Sequence, residues 1–330
     1  MMVVFLLEDR ELILTENPEQ PSGEAVQPQL NELATRRYRQ ADRAGIESSS
    51  TSLYAEFQTL MSRLNQGSEE GDPPCIGSAL LSSGFTGLST DVALLDEDFL
   101  DVVDLLCRGG ASLESEPLDW STVSMATLSG VHEGLLELNP TPSPDREGFS
   151  LAAGEGNDRK SSGSFYTPEP LVKLLVADLV DPLVARAHQD AEEQTGQSKG
   201  DAFRLQAQDN ILALTVCDPA CGTGHFLLAA MHRLASALVD LDEDPVDKEA
   251  AMRRWKGEVS RRCLFGVDLN PLAVELCKLA LWLEAEDHAH PVCALDGHIK
   301  HGNGLLGQRM NRFDVLAPLE AFEGWEEAQA

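Results

Sequence analysis

The sequence predicts an α/β fold, with helices covering an incomplete parallel sheet over residues 116–330, preceded by an α-rich accessory domain over residues 1–115. Apolar strand-like runs alternate with amphipathic helical stretches from about residue 164 to residue 307, and such alternation argues for a parallel sheet with helices on its faces. A glycine-rich turn, DPACGTG, stands between an apolar run and a helix-forming one. Upstream, apolar residues recur at three- and four-residue steps, the period of a helix.

In chain order, residues 3–14 (VVFLLEDRELIL) read as two short β runs around a charged turn, and residues 16–28 as a Pro/Glu/Gln-rich connector. From Gln29 to Gly67 the pattern is helical, with Leu30, Leu33, Leu53, Phe57, Leu60 and Leu64 on one stripe, until residues 66–74 (QGSEEGDPP) break it. A second helical stretch, Asp91 to Cys107, ends at Gly109-Gly110. Residues 120–138 read as another helix, stopped by the Pro-rich stretch Asn139 to Pro144, and residues 154–164 as a loop rich in Gly, Ser and charge. No chemistry is visible in the first 115 residues, whose stripes read as core.

The chain has 330 residues, with 55 Asp+Glu against 25 Lys+Arg and a net charge of −30. That excludes a generic basic nucleic-acid-binding module, which needs a Lys/Arg surplus on some face to neutralise phosphates. No Lys precedes Lys160. An acidic, Lys-poor surface suits high salt or a partner, and is also simply a well-solvated one. The cysteines Cys75, Cys107, Cys217, Cys221, Cys263, Cys277 and Cys293 form no CxxC pair and no zinc-type spacing, so they read as buried free thiols in a reducing compartment. The apolar start Met1 to Leu7 runs at once into Glu8-Asp9-Arg10, unlike a signal peptide, and no run is long enough to span a membrane. The expected location is cytoplasmic.

The most informative segment is Ile211 to Leu228, ILALTVCDPACGTGHFLL. Ile211 to Val216 resembles a buried parallel strand, and His225 onward favours helix. Gly222 and Gly224 allow a tight turn between them, and the helix N-terminus presents free amides at the carboxyl edge of the sheet, where α/β folds bind ligands. Neither GxGxxG nor GK[ST] is present. Asp218 instead stands at the strand end, which suits a zwitterionic amino-acid ligand better than a polyphosphate.

In Cys263 to Leu283, CLFGVDLNPLAVELCKLALWL, a strand ends at Asp268, Asn270 is a good N-cap and Pro271 a good first-turn residue. Asp268 is placed to accept both hydroxyls of a ribose; its bland reading is a turn residue. In Arg159 to Val172, RKSSGSFYTPEPLV, Thr167 can cap a helix starting at Pro168 with Glu169 in its first turn. GNGLLG, Gly302 to Gly307, follows a possible strand at about Pro291 to Leu295 and by itself reads as an ordinary turn.

Taken in order, GSFYTP, DPACGTGHFL, GVDLNPLAVELCKLALWL and HIKHGNGLLG resemble the N-terminal part of the catalytic domain of adenine-specific DNA N6-methyltransferases. The similarity is to the large methylases of type IIG restriction-modification enzymes and of BREX- or DISARM-type phage-exclusion systems, and covers roughly residues 118–307. It implies a Rossmann-like sheet and S-adenosyl-L-methionine as cofactor. Carried onto this sequence, Phe165, Tyr166, Thr167 and Pro168 contact the methionine end of that cofactor. Asp218, Pro219, Ala220, Cys221, Gly222 and Gly224 wrap its methionine and ribose, Asp268 with Leu269 takes the ribose, and Asn303 lies near the adenine edge.

The departure from the family pattern is that no Asn/Asp-Pro-Pro-Tyr/Phe motif occurs in these residues. In the family that motif holds the flipped adenine, so no catalytic residue is assigned here. The resemblance thus implies a truncated or split enzyme that meets double-stranded DNA through a further part, in the same or a second polypeptide carrying the motif and a target-recognition domain. The alternatives are an inactive remnant or interaction subunit, and a methyltransferase acting on protein or small molecules.

Overall fold

The computed structural model describes residues 52–67, 75–82, 94–108, 118–123, 138–142, 149–153, 167–242, 247–286 and 290–306, with separate positions between 127 and 134. The expected β runs at 3–14, the connector, the helical stretch up to residue 51, the 154–164 loop, Phe165 and Tyr166 lie outside the described residues. The chain divides into two compact units, Met1–Ser124 and Met125–Ala330.

In the first unit, helix α1 (Ser52–Gln66) packs on helix α2 (Asp96–Arg108). Phe99 is the fully buried centre, with the rings of Tyr54 and Phe57 at 5.9 and 5.3 Å and Leu60, Leu64 and Val103 buried with it. The N–H of Leu53 donates to the buried Asp96 carboxylate (2.9 Å), which joins the two helix starts. The expected stripe Leu53, Phe57, Leu60 and Leu64 is therefore on one helix, and the second helix ends at Arg108 beside the expected Gly109-Gly110 stop.

In the second unit, Leu138–Pro142 (β1) pairs antiparallel with Phe149–Ala153 (β2). This corrects the expected helix end at residue 138 and the reading of Asn139 to Pro144 as a mere breaker. Prolines lack an N–H yet tolerate an extended edge strand, and Pro140 and Pro142 lie in such a ladder. Helix α3 (Glu169–Thr195) and helix α4 (Asp201–Leu212) follow, then strand β3 (Val216–Asp218) and helix α5 (His225–Leu241). Helix α6 (Lys248–Arg262), strand β4 (Leu264–Asp268), helix α7 (Pro271–Ala285) and strand β5 (Ile299–His301) complete the described part.

The sheet is wholly parallel in the order β3-β4-β5, with Asp218 opposite Gly266 and Asp268 opposite His301. Helix α5 packs on β3 and β4, and α7 on β4 and β5. Leu264, Val267, Ile299, Leu227, Met231, Leu234, Leu238 and Leu279 form the core between them. Two strand expectations are corrected. Ile211 and Leu212 are the last turn of α4, and β3 begins only at Val216; an apolar run of this length does not distinguish a buried strand from a buried helix end. Pro291 to Leu295 is a 3-10 turn, Val292–Leu295, and the strand follows at Ile299.

Polar clamps fix the helices. Asp242, just past α5, accepts from Gln208 Nε2 (2.9 Å), Trp255 Nε1 (2.8 Å) and Arg254 Nη2 (2.9 Å), and so ties α4, α5 and α6 together. Glu284 on α7 meets His232 Nε2 (2.9 Å) and Lys256 Nζ (3.0 Å). The hydrogen bond from His232 holds its carboxyl down at about 2, against burial and with help from Lys256. The stability contributed by this depressed acid is fully present above its unfolded value near 4.5 and lost as pH falls toward 2. Because the side chain is 34% exposed, solvent screening limits the contribution to about 1–2 kcal/mol. Urea unfolding of Glu284→Gln should therefore show a smaller loss of stability than the parent between those pH values, and coincident pH profiles would contradict it.

Candidate functional site

The carboxyl ends of the parallel strands lie side by side and bring three of the four sequence elements to one edge. Asp218 closes β3 and accepts the N–H of Ala220 (3.1 Å), an Asx turn that starts the glycine loop. Asp268 closes β4. Its Oδ2 accepts the N–H of Gly222 (2.8 Å) and its Oδ1 the N–H of Asn270 (2.8 Å), so one carboxylate holds the glycine loop and the start of α7 together. Asn270 caps α7, its side chain accepting from Leu272 (2.9 Å) and Ala273 (3.4 Å), with Pro271 in the first turn, as the sequence predicted. Asn303, past β5, likewise accepts from the N–H groups of Leu305 (3.0 Å) and Leu306 (3.2 Å).

Close approach explains the glycines. Gly224, at φ +94°, opens α5, and a Cβ there would lie 2.8 Å from Cys277 Sγ. Gly222 is also left-handed, φ +52°, but a Cβ would meet nothing within 4 Å. Gly304 presses its backbone on the loop, since a Cβ would sit 2.4 Å from the Pro219 carbonyl oxygen. Gly266 on β4 leaves room for Cys221, whose Sγ would be 3.0 Å from a Cβ. The N–H of Cys221 donates to Val267 O (2.9 Å) and that of Gly302 to Asp268 O (2.9 Å), so the loop, β4 and the 302–304 turn form one unit. The sequence marks Gly302 and Gly304 as part of a turn but assigns no contact to them, and none to Gly266 or Cys277. The doubled GNG was a visible sign, whereas the contact partners are far away in sequence.

The TP element is described only from Thr167. Helix α3 starts at Glu169 with Pro168 at its cap, and no side-chain capping bond is made, so the expected Thr167 cap is not formed. Hydrogen bonding from Lys173 holds the Glu169 carboxyl below its ordinary value, with a smaller contribution from the charge of His225. The first turn of α3 belongs to a helix that packs on α5, the helix that follows the glycine loop. Thr167 and Pro168 lead into that turn.

Electrostatically the edge is anionic. Burial pushes the Asp218 carboxyl above its ordinary value, the Ala220 N–H opposes this, and the neighbouring Asp268 charge adds to the rise. Among the described residues neither carboxylate has an ion-pair partner. The hydrogen bond between Cys221 and Cys277, with burial, pushes the Cys221 thiol far up, so it is a neutral packing group. The expectation of buried thiols holds for Cys221, Cys263 and Cys277 and fails for Cys75, Cys217 and Cys293, which are exposed; the side chain of Cys107 lies outside the described residues. No cluster of His, Cys, Asp or Glu among the described residues could hold a metal ion, and none of their helices is long and apolar enough to cross a membrane.

Two consequences can be measured. Gly224→Ala combines a left-handed backbone with a clash at a buried sulfur and should cost about 3 kcal/mol in urea unfolding, against about 1 kcal/mol for the unobstructed Gly222→Ala; equal costs would contradict the packing. An acid whose folded pKa is raised lowers stability once ionised, so Asp218→Asn should raise the thermal midpoint at pH 8, with the gap closing as pH falls into the ordinary Asp range. A lower midpoint at pH 8 would contradict the mutual repulsion.

Residues 191–298 match the family model of the DNA-methyltransferase domain of MmeI. A putative type II restriction enzyme and methyltransferase of Methanocaldococcus jannaschii is 24% identical over 217 residues, an alignment covering 56% of this chain and 18% of that protein. The chain thus spans less than a fifth of the length of this relative. The structure of the type IIL restriction-modification enzyme MmeI in complex with DNA aligns at a TM-score of 0.47 and 16% identity, over 92% of this chain and 34% of that one. The matched segment holds the glycine loop and both strand-end acids, so the part of the chain that builds most of this edge is the part similar to that DNA-methyltransferase domain.

Proposed function

We propose that this chain carries the cofactor-binding half of a DNA (adenine-N6)-methyltransferase that uses S-adenosyl-L-methionine, within a restriction-modification or phage-defence system. The observation that carries the cofactor reading is the pair of carboxylates, Asp218 and Asp268, without ion-pair partners among the described residues, set around a glycine loop and the N-terminus of α5. A polyphosphate would be repelled there. A ligand bearing an ammonium, a sulfonium and a ribose is matched. The amides at the start of α5 suit its carboxylate, and Asp218 its ammonium. Each Asp268 oxygen already accepts one backbone N–H, and a carboxylate offers about four acceptor sites, so one per oxygen is left for the two ribose hydroxyls. Phe165, Tyr166, Thr167 and Pro168 are assigned to the methionine end, and Leu269 and Asn303 to the nucleoside end. When bound, the cofactor supplies an activated methyl group; the chain's own residues bind and orient it.

Base recognition needs an Asn/Asp-Pro-Pro-Tyr/Phe element, which these residues do not contain. It belongs to a further part of the enzyme, in the same or a second polypeptide, which would also supply the DNA-gripping surface. The cations of α6 fit that division of labour, since Arg253, Arg254, Lys256, Arg261 and Arg262 all face carboxylates and are not arrayed for phosphates. The test is calorimetric titration of the chain with S-adenosylhomocysteine alongside radiolabelled methyl transfer to mixed-sequence duplex DNA. The expected result is binding that Asp268→Ala weakens by at least about tenfold, with no transfer above background. Absence of binding would favour an interaction subunit, and turnover by the chain alone would overturn the division.

A further inference from the structure

Helix α7 is buried at every residue from Ala273 to Leu283, and this otherwise apolar stretch contains Glu275 and Lys278. Lys278 Nζ donates to Glu275 Oε1 (2.5 Å) and to Asp296 Oδ1 (2.7 Å); the side chains of Lys278 and Glu275 are 9% and 10% exposed, that of Asp296 58%. Burial pushes the ammonium down, but the hydrogen bonds to Asp296 and Glu275 prevail and hold it above the ordinary lysine value, so it stays charged. A buried pair of this kind is commonly matched or bettered in stability by apolar side chains of similar size, and what it supplies is a fixed geometry.

Its position indicates which geometry is fixed. Cys277, the preceding residue, fills the space beside Gly224 in the glycine loop. Asp296 lies three residues before β5, whose far end carries Gly302, bonded to the Asp268 carbonyl, and Gly304, pressed on Pro219. We propose that Lys278 is a positioning residue: by tying α7 to Asp296 it sets the height of the 302–304 turn over the carboxyl edge of the sheet, and thereby the fit of the nucleoside end of the ligand. The ligand part of this inference rests on the cofactor reading above; the placement of the turn does not.

The test uses the full chain and the double substitution Glu275→Leu/Lys278→Met, which removes both buried charges and leaves the solvated Asp296. The thermal midpoint should stay within about 3 °C of the parent or rise. Hydrogen exchange should be about tenfold faster at the amides of His298 and Gly302 and unchanged in α5, while the dissociation constant for S-adenosylhomocysteine should rise about tenfold. Unchanged exchange at Gly302, or faster exchange everywhere with a lower midpoint, would overturn the positioning role. If the parent chain does not bind S-adenosylhomocysteine, the cofactor reading fails, and the exchange comparison alone decides the role of Lys278.

Discussion

The arrangement of the site depends on the last residue of β4. Through its two carboxylate oxygens and its carbonyl oxygen, Asp268 accepts the N–H groups of Gly222, Asn270 and Gly302, one from each chain segment that forms the rim. Hydrogen bonds to an ionised acceptor are stronger than neutral ones. The carboxylate thus joins the glycine loop to the start of α7, and the carbonyl of the same residue adds the 302–304 turn. The glycines then allow the backbones to approach closely, with Gly304 against Pro219 and Gly224 against Cys277.

Charge is used differently at the rim and beneath it. At the rim, Asp218 and Asp268 lie close enough for the charge of Asp268 to hinder ionisation of Asp218. Beneath it, acids are paired, Glu284 with His232 and Lys256, Glu275 with Lys278, and Asp242 with Arg254. The net charge of −30 is therefore a poor guide to the local field. What matters is which carboxylates have no cation beside them, and among the described residues these include the two strand-end acids at the sheet edge.

Much of the site was legible in the sequence because it is written in local chemistry. Asn270 and Pro271 mark the start of a helix, Asp268 and Asp218 mark strand ends, and two glycines mark a turn, each through its own backbone preference. The errors arose where local chemistry is ambiguous. Ile211 and Leu212 are as apolar in a helix end as in a strand, Pro140 and Pro142 signal a break yet fit an edge ladder, and Thr167 before Pro168 looks like a cap it does not form. Non-local contacts were not legible at all. Nothing near Gly304 in the chain announces Pro219, and nothing near Lys278 announces Asp296.

That non-locality has a kinetic side. Val216 pairs with Leu264, and the Gly222–Asp268 bond spans 46 residues of chain. Closing such loops costs entropy before any contact repays it, so parallel pairings of this range form slowly compared with the helices between them. The rim cannot be assembled piecemeal: until β3, β4 and β5 are in register, Asp268 has no loop to hold and a ligand has no partner. A ligand held at this rim acts on the completed fold alone, and its binding energy adds to the stability of the whole sheet instead of to any one segment.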